Sequence, residues 1–259
     1  MTLQDVKCFL LDMDGTFYLG NNLIEGSLDF IDKVRATGRD FLFLTNNSSH
    51  NADFYVKRLH GMGLDVPREK ILTSGEATAD KLNQLYPGKR AFVLGNEYLI
   101  EEFSQMGVIV DQENPEIVVI GYDTTLDYKK MTRVCDLVRA GLPYIATHPD
   151  FNCPTETGFA PDIGAIMAFI EASAFRRPEL IVGKPNTGIV EAALRRTGLK
   201  TGEMAMVGDR LYTDIETGLR SGMLSILVMS GETTEEMLAK SETVPDLKFG
   251  RLADMIPLL

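Results

Sequence analysis

Along the chain, short unbroken runs of Val, Ile, Leu and Phe alternate with longer stretches in which apolar residues recur every three or four positions. An unbroken run suits a strand buried on both faces, whereas the three-to-four spacing suits a helix that lays one face on a sheet. The runs predict strands at 7–11, 41–44, 91–94, 117–120, 144–146, 180–182, 204–207 and 225–228. Helices are predicted between them, among others at 27–37, where Leu28, Ile31 and Val34 share a face, and at 127–139, where Met131, Val134 and Val138 do. Gly38, Gly141 and Gly222 stand where helical patterns stop. This alternation predicts an α/β class: a parallel sheet covered by helices on both faces. No internal repeat, low-complexity tract or long linker interrupts it.

Three predicted strands end in polar residues that stand out from their surroundings: LLDMDGT, FLFLTNNSS and AMVGDRLYTD. Ligands of open parallel sheets bind outside the carboxyl ends of the strands, so these distant loops are candidates to meet at one site. In the first, an apolar run delivers Asp12 and Asp14 two residues apart, and Gly15 then allows a sharp turn. One carboxylate can attack while the other moves protons. A phosphate monoester resists attack by another anion, so such chemistry needs a hard cation, Mg²⁺, to neutralise charge. The same residues also describe an acidic turn after a core strand.

Thr45, Asn46, Asn47, Ser48 and Ser49 offer hydroxyls, amides and main-chain N–H groups suited to phosphoryl oxygens, and equally a turn or helix cap. Lys184, in Gly183-Lys184-Pro185, can neutralise a nucleophile and a phosphate, or be a solvated surface charge. Asp209 ends a strand and Asp214 follows about a turn into the next helix; both can help hold a divalent ion, and Asp214 can also be a favourable charge at a helix N-terminus.

The balance of charge narrows the partners. Lys and Arg total 26 against 37 Asp and Glu, a net charge of -11, which repels a nucleic-acid backbone or an anionic membrane. Neither is expected as a partner. An anionic substrate must then find its positive charge locally. Cys8, Cys135 and Cys153 are widely spaced with no CxxC, which indicates neither a disulfide framework nor a zinc site and suits a reducing cytoplasm. No apolar run approaches the roughly 20 residues of a membrane span. With 259 residues, 44% of them hydrophobic, the chain can build one large domain or a core with a smaller one.

Taken in order, Asp-x-Asp-Gly-Thr, Thr-Asn-Asn, Lys-Pro, and Gly-Asp with a later Asp resemble the haloacid dehalogenase (HAD) superfamily of phosphohydrolases, and within it subfamily IIA, the NagD-like or p-nitrophenyl phosphatase branch. Ala146-Thr147-His148-Pro149-Asp150 and Ala160-Pro161-Asp162-Ile163-Gly164-Ala165 resemble that branch's cap segments, so the likeness spans nearly the whole chain. It implies a Rossmann-like parallel-sheet core, residues 1–79 and 182–259, with an inserted larger α/β cap at 80–181. It further implies that Asp12 is the nucleophile and Asp14 the general acid and base. Thr45, Asn46 and Lys184 would bind the phosphoryl group. Mg²⁺ would be held by the carboxylates of Asp12 and Asp209 and the main-chain carbonyl of Asp14, with Asp214 orienting waters outside the direct ligand set.

The expected activity is hydrolysis of small phosphorylated metabolites, such as sugar phosphates, nucleoside monophosphates or p-nitrophenyl phosphate-like esters, through an aspartyl-phosphate, by a monomer or homo-oligomer. Phosphotransfer of the mutase kind, and a non-enzymatic module switched by phosphorylation of Asp12, remain as alternatives. Specificity is expected in the irregular segment 148–157, with Phe151, Asn152 and Cys153 as candidates. Asp162 departs from the glycine common in relatives. His50, His60 and His148 are given no catalytic role, and Phe17 and Tyr18 are read as packing residues of the turn after Asp14.

Overall fold

The computed structural model describes residues 2–155 and 157–259, so Glu156 of the expected specificity segment lies outside the described residues. By contacts the chain divides into two compact units. The first comprises the residues up to Thr45, Tyr55–Leu72 and Lys184–Leu259; the second comprises Asn46–Phe54 and Thr73–Gly183.

The sheet of the first unit runs in the order Leu247–Phe249, Leu224–Val228, Met204–Gly208, Cys8–Leu11, Asp40–Thr45 and Ile71–Thr73, the last of these reaching the border with the second unit. Cys8–Leu11 lies between two parallel neighbours, with Leu11 beside Phe43 on one side and Val207 on the other. All four of its residues are buried, as an unbroken apolar run requires. The helix Ser27–Ala36 buries Phe30, Ile31 and Val34, and Phe30 meets Phe9 edge to face at 5.5 Å. Leu28, expected on that face, is only half buried, because the helix turns Phe30 inward instead. Gly222 closes the helix Glu216–Ser221 in the left-handed region (φ 69°), where its N–H reaches the carbonyls of Gly218 and Leu219.

A second parallel sheet, in the order Leu180–Ile181, Tyr144–Ala146, Ile117–Ile120, Arg90–Leu94 and Ile109–Val110, forms the centre of the second unit. Helices Tyr128–Arg139 and Ile163–Ala174 cover one face, where Val118, Ile120, Val134, Val138 and Ile170 pack together. Asp162 starts the latter helix by accepting the Ile163 N–H at 2.7 Å. An antiparallel hairpin pairs Asn152–Thr155 with Gly158–Pro161.

The predicted strands are present with ends shifted by a residue or so. The edge strands Ile71–Thr73, Ile109–Val110 and Leu247–Phe249 and the hairpin of Asn152–Thr155 with Gly158–Pro161 are additional. Leu180–Ile181 is a half-buried edge strand of the second unit, whereas Lys184, three residues later, belongs to the first. Among the described residues no helix is long and apolar enough to cross a membrane.

Candidate active site

The carboxyl ends of three adjacent strands of the first unit carry Asp12, Thr45 and Asp209. Asp12 continues its strand by one more bond, donating its N–H to the Val207 carbonyl at 2.9 Å. The chain then folds back on itself: the Met13 carbonyl accepts from the N–H groups of Thr16, Phe17 and Tyr18 at 3.3, 2.9 and 3.1 Å, and the Gly15 N–H donates to the Tyr18 carbonyl at 2.7 Å. Gly15 holds φ at 89°, and a Cβ there would collide with the Asp209 carboxylate, as one at Gly231 would. These two glycines leave the space that Asp209 fills. Phe17 and Tyr18 are buried, Phe17 against Phe43 at 4.9 Å and Tyr18 under the Arg58 guanidinium at 4.5 Å. Asp14 is exposed and accepts from the Gly20 N–H at 3.4 Å.

Lys184 is 2% exposed. It follows the second unit's Gly183, and its peptide bond to Pro185 is cis. Its ammonium donates to Asp12 Oδ1 at 2.5 Å, to Asp214 Oδ1 at 2.6 Å and to the Leu44 carbonyl at 3.3 Å. Burial works against that ammonium, yet the charges of Asp12 and Asp214 outweigh it and raise the lysine pKa. Asp214 sits in a single widened turn, Leu211–Ile215, and its Oδ2 accepts from the Arg210 N–H at 3.1 Å.

One oxygen from each of Asp12, Asp209 and Asp214 lies within 4.8 Å of the others. Burial pushes the Asp12 carboxyl up to about 6; Lys184 pulls it back and Asp214 pushes it further. Burial, followed by the charges of Asp12 and Asp214, pushes Asp209 up to about 8. Asp209 is held by the Glu232 N–H on Oδ2 at 2.7 Å and faces the Thr16 hydroxyl at 3.5 Å. One lysine therefore does not balance three crowded carboxylates.

Six of the seven predicted site residues fall in the first unit: Asp12, Asp14, Thr45, Lys184, Asp209 and Asp214. Thr45 is buried at its strand end. Asn46, the next residue, belongs to the second unit, where its amide donates to both oxygens of Asp150, at 3.1 and 3.2 Å. Sequence reasoning missed Arg210, whose pKa burial lowers and the charges of Asp12, Tyr212, Asp209 and Glu232 together raise by more, and which pairs with Glu232 at 3.0 Å. Its place beside Asp209 was the available signal. Nothing in the sequence marked the Leu44 carbonyl or Glu232.

The chain matches the haloacid dehalogenase-like hydrolase family over residues 9–109 and the HAD-hydrolase-like family over 181–255. It is 35% identical over 255 residues to the acid sugar phosphatase of Staphylococcus aureus, with 98% of each chain covered. The chain belongs to the haloacid dehalogenase-like hydrolases, in their NagD-like branch. The crystal structure of 4-nitrophenylphosphatase from Thermotoga maritima superposes with a TM-score of 0.96 at 47% identity, over 98% of both chains. NagD from Escherichia coli K-12 superposes with a TM-score of 0.89 at 32% identity, over 96% of this chain and 98% of that one. This NagD-like hydrolase is a phosphatase, and the Rossmann-like sheet of its first unit is that of its relatives.

Proposed function

We propose that this phosphatase hydrolyses small phosphomonoesters through an aspartyl-phosphate on Asp12. The observation that carries the reading is the Lys184 ammonium joined to both Asp12 and Asp214 at the strand ends, with Asp209 in the same cluster. The donor set fits a divalent cation: its oxygens are hard, they crowd within 4.8 Å, and burial raises Asp12 and Asp209 by more than the facing positive charge offsets. Mg²⁺ would be held by the carboxylates of Asp12 and Asp209 and the main-chain carbonyl of Asp14. When bound it draws negative charge from the phosphoryl oxygens and favours the ionised carboxylates. Asp214, whose oxygens accept from Lys184 and Arg210, would orient waters outside that set.

The Asp12 carboxylate attacks phosphorus as the bond to the leaving oxygen breaks, and the Asp14 carboxyl gives that oxygen its proton. The Asp14 carboxylate then takes a proton from the water that attacks the aspartyl-phosphate, and phosphate leaves with Asp12 regenerated. Thr45, Asn46 and Lys184 hold the phosphoryl oxygens. The second unit acts as the cap that selects the leaving group, with the exposed Phe151 and Phe159 at its hairpin. The names of the relatives point to sugar phosphates and aryl phosphates as the first esters to try. We take its setting to be a reducing cytoplasm, which three widely spaced cysteines without a CxxC suit.

The test is phosphate release from a panel of sugar phosphates, nucleoside monophosphates and p-nitrophenyl phosphate, with Mg²⁺ and then with a chelator. Release that stops on chelation is expected. Full activity without metal would remove the cation from the reading, and a phosphorylated product in place of free phosphate would favour the transferase alternative.

A further inference from the structure

The segment 46–54 leaves the strand that ends at Thr45 and joins the second unit. Its first residue is held there on all sides. The Asn46 carbonyl accepts from the Ser74 hydroxyl, and its side-chain N–H₂ donates to both Asp150 oxygens at 3.1 and 3.2 Å. Its Oδ1 lies against the bare Cα of Gly183, together with the Thr147 carbonyl and the His148 Cβ, so closely that no larger residue fits at that position. Two residues on, the Ser48 hydroxyl accepts from the Tyr122 N–H at 2.9 Å and meets the Thr147 hydroxyl at 2.9 Å.

Asp150 is in turn backed by a buried imidazole. The Asp150 N–H donates to His148 Nδ1 at 3.4 Å, and that nitrogen lies 3.7 Å from Asp150 Oδ2. Accepting at Nδ1 places the ring proton on Nε2, which faces Asp162 Oδ1 at 3.6 Å. His148 is 0% exposed and Asp162 4%. Burying two carboxylates and an imidazole costs desolvation, and apolar packing alone has no need of them. Asp162 is itself fixed by its role as the cap of the helix Ile163–Ala174.

We infer that Asp162, His148 and Asp150 are positioning residues that set the rotamer of Asn46, so that its amide is already oriented when a phosphoryl group arrives. This rests on the proposed phosphate contact of Asn46. An amide frozen before binding loses less freedom on binding, so the effect falls on affinity more than on the chemical step.

The test is a cycle of Asn46→Ala, Asp150→Ala and the double variant in the full chain. Inorganic phosphate binding in Mg²⁺ is measured by calorimetry, alongside KM and kcat for p-nitrophenyl phosphate. Asp150→Ala is expected to weaken phosphate and raise KM about 10-fold, with kcat changed by less than about threefold. The double variant is expected to match Asn46→Ala alone, because Asp150 acts through it. Asp150→Asn keeps an acceptor oxygen and recovers most of the affinity. Asp162→Asn keeps the helix cap, removes the charge facing Nε2, and weakens phosphate by about threefold.

Losses that multiply in the double variant overturn the inference, as does unchanged phosphate affinity in Asp150→Ala with only a lowered unfolding temperature. If Asp150→Ala does not fold, unchanged phosphate affinity in both Asp150→Asn and Asp162→Asn overturns it instead. An Asn46→Ala chain that binds phosphate as tightly as the parent removes the phosphate role of Asn46 and the inference with it. A parent chain that binds phosphate but hydrolyses no ester sinks the phosphatase mechanism alone, since the binding cycle still reads the positioning.

Discussion

Lys184 in the first unit and His148 in the second are both buried between two carboxylates, and they are held differently. The ammonium bonds to Asp12 and Asp214 at 2.5 and 2.6 Å, whereas the imidazole stands 3.7 and 3.6 Å from Asp150 and Asp162. A permanent cation at close range supplies charge, which phosphoryl transfer needs at its nucleophile and oxygens. A planar ring that accepts on one edge and faces an acid on the other supplies orientation. The first cluster is therefore built around neutralising charge, and the second around fixing an angle.

The comparison breaks most sharply at Asp12. Asp12→Asn is expected to abolish turnover in a phosphate-release assay, and a variant keeping most of the parent rate would move the nucleophile elsewhere. Asp14→Asn is expected to lower kcat by about 100-fold to 10,000-fold, the usual cost of a lost general acid and base, with KM nearly unchanged. Lys184→Met leaves two buried carboxylates facing each other, at a cost of about 3–5 kcal/mol in urea unfolding at pH 7. That loss should shrink at pH 5, where Asp12 takes up a proton; a loss independent of pH would contradict the charge role.

A smaller effect separates the metal-free protein from its Mg²⁺ form. Asp12 and Asp209, at about 6 and about 8 when folded against an ordinary 3.8, bind protons more tightly in the folded chain. Their contribution to stability is full below about pH 4 and is lost as pH rises through 6 and then 8. The metal-free unfolding temperature is expected to fall by a few degrees between pH 5 and pH 8.5, with Mg²⁺ restoring it at the higher pH. Smallest is His148→Gln, expected to cost about 1 kcal/mol, since no close charge-assisted bond is lost. A cost equal to that of Lys184→Met would erase the distinction between the clusters.

Much of the first cluster was legible in the chain. Apolar runs ending in Asp12, Thr45 and Asp209 mark buried parallel strands, and parallel strands present their carboxyl ends together. Lys184 was legible only by its company, because a single lysine before a proline carries no period and no alternation. The second cluster was not legible. His148 and Asp162 are separated by a hairpin, and their nearness is a matter of side chains folding over one another.

By itself the sequence determined the class of fold, the strands that carry the site and the kind of chemistry, because burial on two faces and hard-oxygen donors are properties of residue type and local order. Tertiary structure alone decided which carboxylates crowd together, how far burial raises Asp12 and Asp209, and that Thr45 and Asn46, adjacent in the chain, belong to different compact units. Distances between side chains distant in sequence, and the solvent withdrawn from them, exist only once the chain has folded, and the electrostatics of Asp12 depends on both.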